Sequence, residues 1–173
     1  MIQLVFAHAG QAFGSEDGMP WEHIPQDFKN FKARTENTIL IMGANTFASL
    51  PGLLSGRKHV VLCDMDRVLP LAKNGDRANK YLSIYDLDNL LKKWKNSNKL
   101  YSVIGGADIL KRSLPFAWKV IETEIKVNVL ETKLKPVTRY LSREFLNELD
   151  NMPIVTTIEY PIDNKYTIVE IIR

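Results

Sequence analysis

Short apolar runs closed by turns and answered by helical segments recur through the middle of this chain, and that order restricts the fold more than any other feature. Thr38-Ile39-Leu40-Ile41-Met42 is a strand-length apolar run closed by Gly43, and Asn45 to Leu50 then reads as a short helix stopped by Pro51-Gly52. His59 to Cys63 is a second strand, followed at a distance by a helix from Asp86 to Lys95 with Leu87, Leu90, Leu91 and Trp94 on one face. Leu100 to Ile104 is a third, leading into Gly105-Gly106 and a helix through Ile109 and Leu110. Strands alternating with helices predict a mostly parallel sheet with helices on its faces.

The two ends of the chain complete this plan. Ile2 to Ala9 reads as a buried strand, and Gly10 to Trp21 as a loop with little periodicity. Val120 to Val129 and Ile154 to Tyr160 are strand-like, and Tyr166 to Ile172 pairs with the latter across the turn Pro161-Ile162-Asp163-Asn164-Lys165. An antiparallel hairpin is therefore expected beside a parallel sheet. Residues 67–79 read as a polar surface excursion, so the 173 residues are expected to form one domain, 1–173.

Composition excludes several classes of function. Lys and Arg number 23 against 20 Asp and Glu, a net charge of +3 spread along the chain, which gives no footprint for nucleic acid. The single cysteine, Cys63, rules out an internal disulfide framework and fits the cytoplasm. His8, His23 and His59 lie far apart and show no metal-ligand spacing, so no metal is expected. The start Met-Ile-Gln-Leu-Val-Phe lacks the marks of a signal peptide, and no run has the length of a membrane span.

Within this frame Asp27 stands out. In Ile24-Pro25-Gln26-Asp27-Phe28-Lys29-Asn30-Phe31, the apolar residues Ile24, Phe28 and Phe31 form a helical stripe, and Asp27 lies among them. A carboxylate withdrawn from water must be protonated, paired or hydrogen-bonded, so such a position suits a polar ligand. The plainer alternative is an exposed first-turn Asp after Pro25, complementing the helix dipole. Two glycine turns add to the case, Gly43 before Ala44-Asn45-Thr46 and Gly105-Gly106 before Ala107. Glycine lets backbone approach a ligand, and the following helix start offers free N–H groups to an anion. Neither turn matches the common dinucleotide or phosphate-loop fingerprints. The loop Gly14-Ser15-Glu16-Asp17-Gly18-Met19-Pro20-Trp21 has the glycines and bulky apolar residues of a closing flap. Arg57 follows Gly56 and offers a planar fork that suits a carboxylate.

Taken in order, Met19-Pro20-Trp21, the helix from Asp27 to Thr35, Ile41-Met42-Gly43 with Thr46, Gly56-Arg57-Lys58 and Val103-Ile104-Gly105-Gly106 resemble dihydrofolate reductase. The likeness runs from Ile2 to about Thr123, and the segment from Phe31-Lys32-Ala33-Arg34-Thr35 through Leu50-Pro51 looks most like the branch found in T-even-type bacteriophages. The resemblance implies a single-domain α/β fold around a mostly parallel eight-stranded sheet, with flanking helices and a C-terminal antiparallel hairpin. It implies reduction of 7,8-dihydrofolate to tetrahydrofolate with NADPH, serving one-carbon and thymidylate metabolism in the cytoplasm, the host's if the chain is phage-encoded.

Site roles follow from the same likeness. Asp27 would hold the pterin N3 and 2-amino group, Thr123 would support the pterin through an ordered water, and Trp21 would anchor the flap without donating a proton. Val5, Ala7, Phe28, Phe31, Leu50 and Leu54 would line the substrate pocket, and Arg57 would clamp the glutamate carboxylate. Ala7, Gly14 and Met19 would border the cofactor, together with Gly43, Ala44, Asn45 and Thr46. Cys63 and Asp64, Ile104, Gly105 and Gly106, and Ala107, Asp108 and Ile109 would complete that border.

The chain departs from the family pattern at two places. Ala44 stands where an Arg is common, and Asp64 and Asp108 stand where basic or hydroxyl residues often meet the adenosine 2′-phosphate, with Arg67, Lys111 and Arg112 as nearby basic alternatives. Leu130-Glu131-Thr132-Lys133 replaces the usual Gly-Asp loop that braces the flap. Two other functions share the fold: the ribosylaminopyrimidine reductase of riboflavin synthesis, disfavoured by the Asp27 helix with Met19-Pro20-Trp21 and by Arg57, and a folate- or nucleotide-binding structural protein without turnover.

Overall fold

The computed structural model describes all of Met1–Arg173. Ten strands form, β1 (Ile2–His8), β2 (Ala12–Gly14), β3 (Ile39–Gly43), β4 (Lys58–Cys63), β5 (Lys80–Ser83), β6 (Tyr101–Gly105), β7 (Lys119–Val127), β8 (Arg139–Tyr140), β9 (Thr156–Pro161) and β10 (Tyr166–Ile172). The helices are α1 (Pro25–Thr35), α2 (Ala44–Ser49), α3 (Leu87–Lys95), α4 (Ala107–Ser113) and α5 (Arg143–Asp150). Eight strands make one sheet in the order β5-β4-β3-β6-β1-β7-β10-β9, as expected for the predicted fold class. Pairing is parallel for β1 with β6, β3 with β6 and β4, and β4 with β5, whereas β10 runs antiparallel to both β7 and β9. No helix is long and apolar enough to cross a membrane.

Two compact units make up the chain. The first comprises Met1–Leu4 and Thr35–Trp118. Its strands β3, β4 and β6 are buried almost throughout, because helices occupy both faces of a parallel sheet. Phe47 of α2, Leu87 and Leu91 of α3, and Leu110 of α4 fill its core. The amino-terminal ammonium closes the carbonyl end of α3 by donating to Trp94 O at 2.8 Å, Ser97 O at 2.8 Å and Lys99 O at 3.0 Å.

The second unit comprises Val5–Arg34 and Lys119–Arg173. On one sheet face, Trp21 and Ile24 pack with Ile125, Tyr166 and Ile168. Alternation turns Phe6 and His8 to the other face, where Phe6 meets Phe145 of α5 at 5.7 Å and His8 Nε2 lies 2.6 Å from Glu122 Oε1. Arg173 completes that buried cluster with Nε 3.2 Å from Glu122 Oε2.

Three elements escaped the sequence reading. Strand β5 has four residues and little burial, and α5 has only eight residues among charged neighbours. Helix α5 begins at Ser142, whose hydroxyl accepts from Phe145 N at 3.1 Å. Ser142→Ala is expected to lower stability by about 1 kcal/mol, read from urea unfolding. The third is a two-stranded ladder in which β2, inside the segment 10–21 predicted as loop, meets β8, pairing Ala12 with Tyr140 and Gly14 with Arg139.

Candidate active site

Helix α1 begins at Pro25, whose missing N–H is no loss at a first helical position. Asp27 follows in the first turn, yet it is not the exposed dipole partner of the plainer reading. It is 6 % exposed, and its carboxyl is pushed up to about 6 by burial and then by the negative charge of Glu170. A group titrating there can hold either protonation state near neutral pH. The apolar stripe around it is only partly a core. Ile24 is fully buried, whereas Phe28 is 43 % exposed and lies tilted against the His23 ring at 4.5 Å, leaving an open aromatic surface.

The same unit supplies several other predicted substrate-side residues. Val5 and Thr123 are buried on β1 and β7, and Ala7 is partly exposed. Trp21 is buried in the Ile24 cluster, but its indole N–H meets no protein acceptor. A buried donor of that kind calls for a water or ligand oxygen. Met19 is 40 % exposed at the end of the flap.

The flap is braced from a different place than Leu130–Lys133. Lys135 N donates to Pro20 O at 2.7 Å, Thr138 N to Gly14 O at 2.9 Å, and the Arg139 guanidinium to Ser15 O at 3.0 Å. Arg139 lies across Gly14, where an added Cβ would sit 3.2 Å from the Arg139 Cβ. A side chain at position 14 would press on Arg139, so glycine suits the close approach in the ladder. Leu130 itself is exposed.

In the first unit the two glycine turns meet. A Cβ on Gly43 would lie 3.0 Å from Ile109 Cδ1 and 3.6 Å from Gly106 N, and one on Gly106 would lie 3.9 Å from Thr46 Oγ1. The predicted residues Gly43, Thr46, Gly106 and Ile109 therefore form one small cluster. The helix starts at Ala44 and Ala107 follow N-caps Gly43 and Gly106, neither of which caps through a side chain. Uncapped N–H groups beside bare glycine backbone fit the pyrophosphate of a dinucleotide. Asn45 is exposed and Ala44 partly so. Cys63 ends β4 and Asp64 follows it, next to β3 in the sheet, and Ile104 and Gly105 end β6 on the other side of β3. Asp64 and Asp108 each have an arginine nearby, Arg67 at 3.4 Å and Arg112 at 3.9 Å, while Arg112 also binds Asp88 at 3.1 Å.

Arg57 is held through neutral oxygens, Ser55 O at 3.2 Å and Thr35 Oγ1 at 2.9 Å. No ion pair closes on its guanidinium, and the carboxylate whose charge reaches it is that of Glu36. His59, passed over in the search for metal ligands, organises this loop. Leu54 N donates to His59 Nε2 at 3.0 Å, and His59 Nδ1 lies 3.2 Å from Arg57 O. Burial lowers the His59 pKa, so the neutral ring with Nδ1–H donating and Nε2 accepting satisfies both contacts. Leu50 is partly buried beside this loop's unit core and donates its N–H to Phe47 O.

An open α/β sheet with paired glycine turns at the carboxyl ends of neighbouring parallel strands, and a buried acid on a separate helix, has the layout of a nucleotide-using α/β enzyme. Comparison with known proteins makes the class specific. A family model described as dihydrofolate reductase matches residues 1–145. Dihydrofolate reductase type 9 from Escherichia coli is 33% identical over 140 residues, 79% of this chain and 76% of that protein. Type A10 from Escherichia coli is 29% identical over 153 residues, 86% and 76% of the two chains. In fold, the chain is similar to the dihydrofolate reductase from Enterococcus faecalis complexed with NADP(H) and RAB-propyl, with a TM-score of 0.77 and 19% identity, covering 100% and 95% of the two chains. The chain belongs to the dihydrofolate reductase family, NADPH-dependent oxidoreductases that reduce dihydrofolate.

Proposed function

We propose that this chain reduces 7,8-dihydrofolate to tetrahydrofolate with Asp27 as the acid that holds the pterin, acting as a single reductase domain over residues 1–173. The observation that carries the assignment is a buried carboxyl, without an arginine or lysine partner among its ion pairs, titrating at about 6 on an aromatic-lined helix. In its ionised form Asp27 accepts hydrogen bonds from the pterin N3 and 2-amino group, which orients the ring and favours a protonated pterin. Thr123 and the unpartnered Trp21 indole N–H support an ordered water beside the ring. NADPH, when bound, supplies the hydride that passes from nicotinamide C4 to pterin C6, while N5 takes a proton from water. Val5, Ala7, Phe28 and Phe31 offer apolar surface to the pterin and benzoyl groups, Leu50 and Leu54 do so from their own unit, and Arg57 holds the glutamate carboxylate.

The Gly43 and Gly105-Gly106 turns bind the cofactor pyrophosphate through backbone N–H groups, with Thr46 and Ile109 packed beside them. Cys63 as the single cysteine supports a cytoplasmic site of action. The direct test is loss of nicotinamide absorbance on mixing purified protein, NADPH and dihydrofolate. Tight folate binding with no hydride transfer would instead favour a structural binding protein.

NADPH is expected to be preferred over NADH, and Ala44→Arg to widen that preference about five-fold or more. Asp64 and Asp108 repel a 2′-phosphate unless their arginines offset them, whereas an added guanidinium at the α2 entrance gains a charge-assisted hydrogen bond of about 1 kcal/mol or more. The measurement is kcat/KM for both cofactors in both proteins. An unchanged ratio would place the adenosine phosphate elsewhere.

A further inference from the structure

Asp27 is not the only acid buried on its side of the sheet. Helix α1 carries Arg34 seven residues after Asp27, two turns further along the same stripe. Opposite it, β7 and β10 pair Ile125 with Ile168 and Thr123 with Glu170, so Thr123 and Glu170 stand side by side on the face that receives Ile24. Glu170 is 1 % exposed and lies in an otherwise apolar strand. Arg34 grips it with both forks, NH2 to Oε1 at 2.6 Å and Nε to Oε2 at 3.2 Å.

An ion pair with one partner buried and the other partly exposed contributes little stability beyond what well-packed apolar residues would give. Its placement matters more. The bidentate arginine fixes the place of the Glu170 carboxylate beneath the helix that presents Asp27, close enough for its negative charge to act on Asp27. Arg34 is 34 % exposed through its side chain, and water screens its positive charge more than it screens the fully buried Glu170. The charged and titratable groups on this face are Asp27 and Arg34 from α1, Glu170 from β10 and Tyr160 from β9, with Thr123 of β7 between them.

We propose that Glu170, held by Arg34, is a positioning residue that sets the pH at which Asp27 exchanges its proton, and thereby the pH range of dihydrofolate reduction. The kinetic half rests on Asp27 as the pterin-holding acid. Two readouts separate the halves: the carboxyl carbon-13 titration of Asp27 in ligand-free protein, and the pH profile of kcat/KM for dihydrofolate. Glu170→Gln keeps the shape and a hydrogen bond to Arg34 while removing the charge, and is expected to move both midpoints down by about half a pH unit or more. An unmoved Asp27 titration in the folded variant overturns the proposal. A titration that moves while the kinetic midpoint stays overturns its kinetic half and locates the fault in the role given to Asp27. Should Glu170→Gln fail to fold, the neutral pair Arg34→Gln with Glu170→Gln carries the same test, with the same downward shift expected and an unmoved titration overturning the proposal.

Discussion

Asp27→Asn is expected to fold, to become more stable at neutral pH, and to lose about a hundred-fold or more in kcat/KM for dihydrofolate. The two effects have one cause. Asp27 titrates at about 6 in the folded chain, against 3.8 for a free carboxyl. Between those values the folded state retains a proton that the unfolded state has released, so stability falls as pH rises through that window. Above it the full cost of about 3 kcal/mol is present, because the carboxylate must be ionised in a buried site beside Glu170. Asparagine keeps the shape and removes the charge. Its stability gain should therefore be largest near pH 7.5 and shrink towards zero near pH 4, a comparison made by urea unfolding at both ends. The lost activity arises because a neutral amide cannot favour a protonated pterin. Near-native kcat/KM at neutral pH would end the assignment of Asp27 as the carboxylate that holds the pterin.

For Arg57→Leu, KM for dihydrofolate should rise about ten- to a hundred-fold while kcat changes little. The guanidinium is held by Ser55 O and Thr35 Oγ1, and the His59 ring fixes the loop that carries it. A pre-placed fork bonds a carboxylate with a charge-assisted pair worth about 1.5–3 kcal/mol. The glutamate carboxylate is remote from the reacting carbons, so ground state and transition state lose it equally and the effect falls on KM. A pterin substrate lacking the glutamate is the control and should be indifferent to the change. Equal losses on both substrates would mean that the 54–57 loop had collapsed.

The bracing of the flap shows how a departure from a family pattern is resolved. Leu130–Lys133 looked like the replacement for a missing loop, but the contacts come from Lys135, Thr138 and Arg139. Nothing local in that stretch announces it, because β8 is two residues long and its partner lies at Ala12–Gly14. The same holds for Glu170. A charge inside Ile168-Val169-Glu170-Ile171-Ile172 was a usable signal, since inward positions of such a strand are apolar, but its partner Arg34 lies 136 residues away.

Local sequence determined the alternation of strand and helix, the carboxyl-terminal hairpin, the two glycine turns and the identity of Asp27 as an acid on an apolar helix. Each of these depends on the spacing of neighbouring side chains or on the conformational freedom of one residue, and spacing of that kind is legible in a linear chain. Tertiary structure alone decided that Asp27 is buried beside Glu170, that Phe28 stays open on His23, that the side-chain position of Gly43 faces Gly106, and that Arg139 crosses Gly14. A carboxyl's pKa depends on the solvent and charges around it, and those are brought together by strand pairing and helix packing between residues with no shared periodicity.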